Sequence, residues 1–382
     1  MKRILVTIIM CTILVFSSTI GFANVGDNKL NSVSAIVNKN DAKKIAANHV
    51  IREKHNAEFK DWINGEVDDE TELVDFNNNV IAYLFNVYDK TALLGYIIVS
   101  ANKNMPPILE YSRASSPYSI GLSKIKQNLQ RNETLKKTTY VYFFPNTYMI
   151  KFIINRNNYD QEEELFDIRN YKKIIYKDIN QSTINSSDIN LDVNNVKTWN
   201  KLFDFNPMNS GTITTKKISG VPDLAWYKGC APTSAANLIY YWDAHGYPNL
   251  VINETTNQVI EKLAMNMGTD SNGSTNVLFI MSGTIQYIKS KGYTNFDGYD
   301  LNPPSYYDIR NEINNSRPLL LSVIGHPTYE NHTMACVGYE YVTELGEITE
   351  EYVIVHDTWG ETPTDVYIAF DGTFKYAHIF IP

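Results

Sequence analysis

Gly229-Cys230-Ala231-Pro232-Thr233-Ser234-Ala235-Ala236-Asn237-Leu238-Ile239-Tyr240-Tyr241-Trp242 is the stretch from which the rest of the chain is best read. Ala235, Leu238, Ile239 and Trp242 recur on one helical face. Pro232 suits a first turn, where a missing N–H costs nothing, and Gly246 suits a stop. Cys230 then falls at the N-terminus of the helix. Unpaired backbone N–H groups there carry partial positive charge, which favours thiolate over thiol, and thiolate is the nucleophilic form. Gly229 allows another backbone to approach closely. A small cysteine that merely packs at a helix start is the bland reading, and the helix-start context favours the nucleophile.

A nucleophilic cysteine needs a base within hydrogen-bond reach and a group that orients the base. The chain has seven histidines. His49 and His55 lie in the N-terminal part, His245 is at the far end of the cysteine's own helix, and His378 sits in a late strand, so these four read as solvated or structural. His332 opens the strand HTMACVGYEYV and Asp357 closes the strand EYVIVHD. A hairpin through Thr343 to Glu350 that pairs 332 with 357 also pairs Met334 with Val355 and Cys336 with Val353, and opposed residues share a face. That face is apolar behind a His-Asp pair at its open end. Asp357 would then fix the tautomer of His332 and support the imidazolium formed in turnover. His356, on the opposite face, and His326, in the Gly325-His326-Pro327 turn, are the competitors for the role of base.

The same alternation puts Cys336 in the apolar row, as a core thiol. A Cys230–Cys336 bridge is the weaker reading, because a core this large needs no staple. A zinc site from His326, His332, Cys336 and His356 lacks HxH, HExxH or CxxC spacing, so neither metal nor cofactor is expected. Asp270-Ser271-Asn272-Gly273 is oxygen-rich but lacks the final glutamate of a calcium loop and reads as a turn. Tyr240, Tyr241 and Trp242 read as packing groups rather than a ligand cage.

Outside this region the 382 residues divide readily. Lys2 and Arg3, an apolar run from Ile4 to Phe16, and small residues at Gly21 and Ala23 read as a secretory leader over 1–23. The apolar run is too short for a spanning helix, which needs about 20 residues. No later segment resembles a membrane span. Residues 24–177 read as an α+β unit: a helix capped by Asn40 or Asp41 and running to about His55, strands at Val80–Tyr88, Leu93–Ser100 and Pro107–Tyr111, and two more runs in 139–155 broken at Pro145-Asn146. Residues 178–215, rich in Asn, Ser, Asp and Thr, read as a linker open to cutting, with Trp199 and Leu202 able to dock locally. Residues 216–382 begin with helices at 231–244, 257–266, 275–289 and 305–315. They end with strands at 318–324, 333–342, 352–357, 366–370 and 377–381, the order of an α+β domain. The net charge of -8 grows two units more negative without the leader's Lys2 and Arg3. No basic surface is on offer, so nucleic acid is not an expected partner. Only Cys230 and Cys336 remain once Cys11 leaves with the leader, so no disulfide framework is expected.

With GCAPTSAANLIYYW at 229–242, HTMACVGYEY at 332–341 and VIVHDTWG at 353–360, the last 165 or so residues resemble the papain-like cysteine peptidases. The resemblance is to the branch similar to bacteriocin-processing, double-glycine peptidases of the family 39 type. It implies a papain-like fold, a catalytic helix against an antiparallel sheet, with Cys230 as nucleophile, His332 as base and Asp357 as orienter, the roles reached above from the residues. One position departs from the pattern. The family usually places an oxyanion-hole Gln six residues before the cysteine, where this chain has Leu224. The backbone N–H of Cys230 and the indole N–H of Trp226 are the remaining candidate donors, and loss of one such donor typically lowers the rate ~10²–10³-fold. Residues 40–120, notably AYLFNVYDKTALLGYIIVSANKNMPPILEYS, resemble the pro-domain of streptopain-type peptidases, which implies an intramolecular inhibitor or folding aid.

The expectation is an exported cysteine peptidase, extracellular or at the cell surface, made as a precursor, with a peptide or protein substrate and its own pro-domain as partners. Two alternatives share its features: an amidase or transglutaminase-type acyl transferase on the same triad, and a weakly active or inactive binding protein on the same fold, suggested by Leu224.

Overall fold

In the computed structural model, residues 35–382 are described apart from 129–132, 157–159, 169–171, 175–192, 206–210, 327–329, 361 and 363. The leader read at 1–23 lies outside the described residues, as do all of 178–192 and Pro327 of the 325–327 turn. Asn38, two residues before the expected cap, starts helix α1 (Lys39–Glu53), because its side chain accepts from the backbone N of Asp41 at 3.0 Å. A short 3-10 turn, Ala57–Asn64, leads to strands β1 (Glu66–Val67), β2 (Thr71–Val74), β3 (Val80–Asp89), β4 (Ala92–Ser100) and β5 (Ile108–Ser112). Helix α2 (Pro117–Asn128) precedes the long strands β6 (Glu133–Phe143), β7 (Thr147–Arg156), β8 (Asp160–Asp167) and the short β9 (Lys172–Ile174). The β6–β7 connection is the break expected at Pro145-Asn146, and Asn146 takes a left-handed φ of 55° there. Strand β8, EEE-rich and without apolar alternation, gave no strand signal; it forms because its backbone completes the edge of β7.

Helix α3 (Val193–Phe203) lies inside the segment read as a linker. Its Trp199 and Leu202 are buried, so the local docking foreseen for these two residues extends to a full amphipathic helix. Then follow β10 (Thr212–Lys217), α4 (Cys230–Ala244), α5 (Thr256–Met267), α6 (Ile280–Ser290), β11 (Asp297–Leu301), α7 (Tyr306–Asn314), β12 (Leu319–His326), β13 (Glu330–Glu344), β14 (Glu347–His356), β15 (Val366–Ala369) and β16 (Phe374–Ile381). The helix starts follow their caps: Thr255 with Gln258 and Ser305 with Asp308 both close reciprocal capping boxes.

The strands pair in one unbroken path, β11-β16-β12-β13-β14-β15-β5-β4-β3-β2-β6-β7-β8-β9, with β1 added on β3 and β10 on β13. All pairings are antiparallel except β2 with β6. The sheet of the N-terminal unit and that of the C-terminal half therefore meet edge to edge, Tyr367 opposite Tyr111 and Ile368 opposite Glu110. One apolar core runs across this seam, and two smaller cores lie under the β6–β8 strands. Mixed helices and antiparallel sheet give the expected α+β class.

The β13–β14 hairpin corrects the expected register by two residues. It closes through a two-residue turn at Leu345-Gly346, whose φ values of 50° and 86° are both left-handed, rather than through a loop from 343 to 350. That turn sets Ala335 opposite His356 and Cys336 opposite Val355, and two bulges on opposite strands cancel. Continued outward, the ladder puts position 334 across from 357 and 332 across from 359. Because a two-residue slip keeps every side chain on its face, His332, Met334 and Asp357 still share one side and His356 the other.

Candidate active site

Gly229, just before α4, has φ 137°, a backbone conformation that only glycine adopts without strain, and a Cβ there would strike the Gly273 carbonyl oxygen at 2.6 Å. Gly273 in turn lies under the Trp226 ring, whose Cζ2 a Cβ would meet at 2.9 Å. The 270–274 turn, closed by Asp270 accepting from the backbone N of Asn272 and Ser274 at 2.8 and 2.9 Å, thus forms the floor beside Cys230. The first turn of α4 takes no side-chain cap, which leaves its positive end available to the sulfur. Residues 224–229 are held from both sides. Leu224 N donates to Asn237 at 3.0 Å, Trp226 N to the Thr358 carbonyl at 2.7 Å, and Thr233 Oγ1 donates to the Gly229 carbonyl at 2.7 Å.

Ser234 lies one turn after Cys230 on the same face of α4. Its buried hydroxyl donates to the Thr333 carbonyl at 2.9 Å, next in sequence to His332. The thiol-bearing end of α4 is thereby fixed beside the start of β13. Cys230 is partly accessible and Cys336 is buried, and neither forms a disulfide. Burial pushes the Cys336 thiol up to about 12, as suits a core residue and not a second nucleophile.

His332 is buried at 5 % exposure, and its ring stacks on Trp359 with centroids 4.7 Å apart and planes 15° apart. Asp357 is 1 % exposed. Its Oδ1 accepts from the backbone N of Trp359 at 3.0 Å and from the Thr362 hydroxyl, and its Oδ2 accepts from the Asn146 side-chain amide at 2.7 Å. Burial, and then the charge of Asp223, raise the Asp357 carboxyl to about 7. His332 and Asp357 share one face toward the open end of β13 and β14, two positions out of the direct pairing expected from the sequence. Asn146 comes from the other half of the chain, at the tip of the β6–β7 hairpin. It is fully buried and also lies 3.6 Å from the Met334 sulfur. Nothing local in its sequence signals this placement; only the Pro145-Asn146 break marks a tip.

Four of the other histidines take structural places, while His55 is exposed. His356 reaches the Pro222 carbonyl at 2.9 Å and Asp365 at 3.1 Å on the opposite face. His378 contacts Asp300 at 2.7 Å and Ser322 at 3.0 Å. His245 stacks on Tyr241, and His49 contacts Arg52 at 3.0 Å. The side chain of His326 lies outside the described residues. Among the described residues no cluster of three or more His, Cys, Asp or Glu is arranged to hold a metal ion, and no helix is long and apolar enough to cross a membrane.

With this geometry in view, residues 213–380 match the family model described as the Peptidase_C39 like family, and residues 34–132 match that of the Spi protease inhibitor. No curated protein matches the chain. A solved structure from Bacillus anthracis, provisionally assigned as a C39-like peptidase, is similar over 44 % of this chain and 98 % of its own, at 15 % identity and a TM-score of 0.30. At that likeness no residue role carries over from it.

Proposed function

We propose that the C39-like region is a cysteine peptidase and that the chain is its exported, self-inhibited precursor. The observation that supports this most is the tie between Ser234 and Thr333, which sets the N-terminus of the cysteine helix against the strand that carries His332 near its start. In the proposed reaction the Cys230 thiolate attacks the scissile carbonyl carbon, and the N–H of Cys230 at the helix end stabilises the oxyanion. Trp226, whose ring borders Gly229 through Gly273, is the second donor. His332 passes its proton to the leaving amine, then takes one from water as that water attacks the thioester and frees the acid. Asp357 orients His332.

The N-terminal unit acts as the inhibitor. Asn146 donates to Oδ2 of Asp357, the carboxylate proposed to orient His332, and residues 34–132 of the same unit, which end before Asn146, match a protease-inhibitor model. The test is to treat the secreted full chain with an irreversible thiol-directed peptidase inhibitor and map the adduct by mass spectrometry. Modification confined to Cys230 and absent in Cys230→Ala is expected; an adduct that leaves Cys230 untouched overturns the reading. Profiling with peptides, amines and glutamine amides separates hydrolysis from acyl transfer, since both share the thioester step.

A further inference from the structure

We propose that the N-terminal unit is a permanent subunit of the protein, staying bound as a second chain when the connecting residues between β9 and β10 are cut. This does not rest on the chemistry at Cys230 and applies equally to Cys230→Ala protein.

The boundary has the make-up of a core and not of a detachable surface. Tyr111 on β5 stacks on Tyr367 of β15 at 4.8 Å and meets Tyr352 of β14 edge-on at 5.3 Å, while Phe59 meets Tyr367 at 5.2 Å. All four rings are buried and belong to the one apolar core that spans both halves. Surfaces that separate in solution are typically polar at their margins, whereas permanent interfaces resemble a domain core cut in two. Strand β15 is also short and wholly buried, with β14 on one side and β5 on the other. Without β5 it becomes an apolar edge strand, which natural proteins avoid leaving open.

Buried polar groups also meet across the boundary, although Glu53 Oε1, Arg52 Nε and His49 Nε2 have no hydrogen-bond partner there. Arg52 of α1 forms a two-pronged pair with Glu350 of β14, its Nη2 at 2.9 Å from Oε2. Glu340 of β13 accepts from Asn56 at 2.7 Å, from Thr215 at 2.7 Å and from Tyr111. Such a network fixes one partner and one orientation, because any other surface would leave its charges buried and unmatched. Helix α3 bridges the same boundary a second time. Trp199 and Asn195 donate to the carbonyls of Met105 and Asn104 at 3.0 and 2.7 Å on the N-terminal side, and Thr198 donates to that of Thr349 at 3.2 Å on the other. Access to the active site then requires the β6–β7 tip to move while the rest of the unit stays.

The test uses the full Cys230→Ala chain with a site-specific protease sequence placed in 180–190 in one version and in 206–210 in another. The first cut leaves α3 with the C-terminal fragment and the second leaves it with the N-terminal one. After cutting, both fragments are expected to co-elute in equal amounts at the position of the uncut chain by size-exclusion chromatography, and to do so after about 100-fold dilution. Separate elution, or precipitation of the C-terminal fragment with the N-terminal one left in solution, overturns the proposal. Tyr111→Ala, checked uncut for cooperative melting, is expected to let the fragments part on that dilution; co-elution unchanged from the parent removes the aromatic seam as the basis of attachment.

Discussion

At the β5–β15 seam the N-terminal unit meets the rest of the chain through stacked rings, a strand ladder and a buried ion pair. At the β6–β7 tip it meets the candidate active site through the Asn146 amide, which touches the Asp357 carboxylate and the Met334 sulfur. Both contacts are buried, yet their energies differ in kind. Apolar area and close packing are lost only when the whole surface separates. A single hydrogen bond to a charged group is worth about 1.5–3 kcal/mol and can be broken locally. On the function proposed above, attachment belongs to the seam and inhibition to the tip, and each can be disturbed without the other.

The largest effect belongs to the chemistry that the tip covers. Replacing Cys230 by Ala removes the nucleophile, and turnover in any active form is expected to fall by ~10⁴-fold or more, read as amide hydrolysis by purified protein. At the seam, Tyr367→Ala deletes a ring that touches both Tyr111 and Phe59 and is expected to lower unfolding stability by about 3–5 kcal/mol in denaturant melts of the full chain. An equally large loss of Cys230 protection without loss of stability would instead make the seam a lid.

At the tip the order reverses. Asn146→Asp places a second carboxylate against Asp357, and at pH 8 the labelling rate of Cys230 is expected to rise about tenfold or more, with stability changed by only about 1–3 kcal/mol. The effect shrinks toward pH 5, where a shared proton relieves the repulsion.

The smallest effect is a pH slope. Glu110 of β5, beside the seam, accepts from Tyr96 at 2.5 Å, from Tyr142 at 3.3 Å and from Tyr148. Burial, only partly offset by these donors, raises it to about 7. An acid whose folded pKa is raised keeps its proton more tightly in the native state. Its contribution is complete below about pH 4 and is lost as pH rises through 7. Glu110→Gln, which cannot ionise, should remove on the order of 2–3 kcal/mol of the stability lost by the parent between pH 5 and 8. Melts of parent and variant that keep parallel slopes would show that this carboxyl does not titrate across the seam.

Helices α1 and α4–α7 and strands β12–β16 were legible because caps and apolar periods act locally, as with Ser305 and Asp308 or Ala235, Leu238, Ile239 and Trp242 along α4, whereas α2, α3, β10 and β11 were not expected. The faces of His332, Asp357 and Cys336 were legible too, since alternation survives a slip of two. The register itself was not, because Leu345 is an unusual residue for a left-handed turn position and gave no turn signal. Trp359 under His332 stood in view within VIVHDTWG, but stacking depends on where the ladder continues. Asn146 could not be found at all from sequence, since its contact joins residues more than 200 positions apart. Nor could the matching of Arg52 with Glu350, whose partners lie 298 positions apart.

The most direct measurement compares alkylation rates at Cys230 by iodoacetamide at pH 6 in Asn146→Asp protein and in the same protein carrying His332→Ala, with the modified residue identified by peptide mass spectrometry. A helix-end thiol paired with His332 predicts modification at Cys230 at least about ten times faster than a free cysteine, with that advantage lost on removing the imidazole. Equal, slow rates in both proteins, or first modification at Cys336, would contradict it.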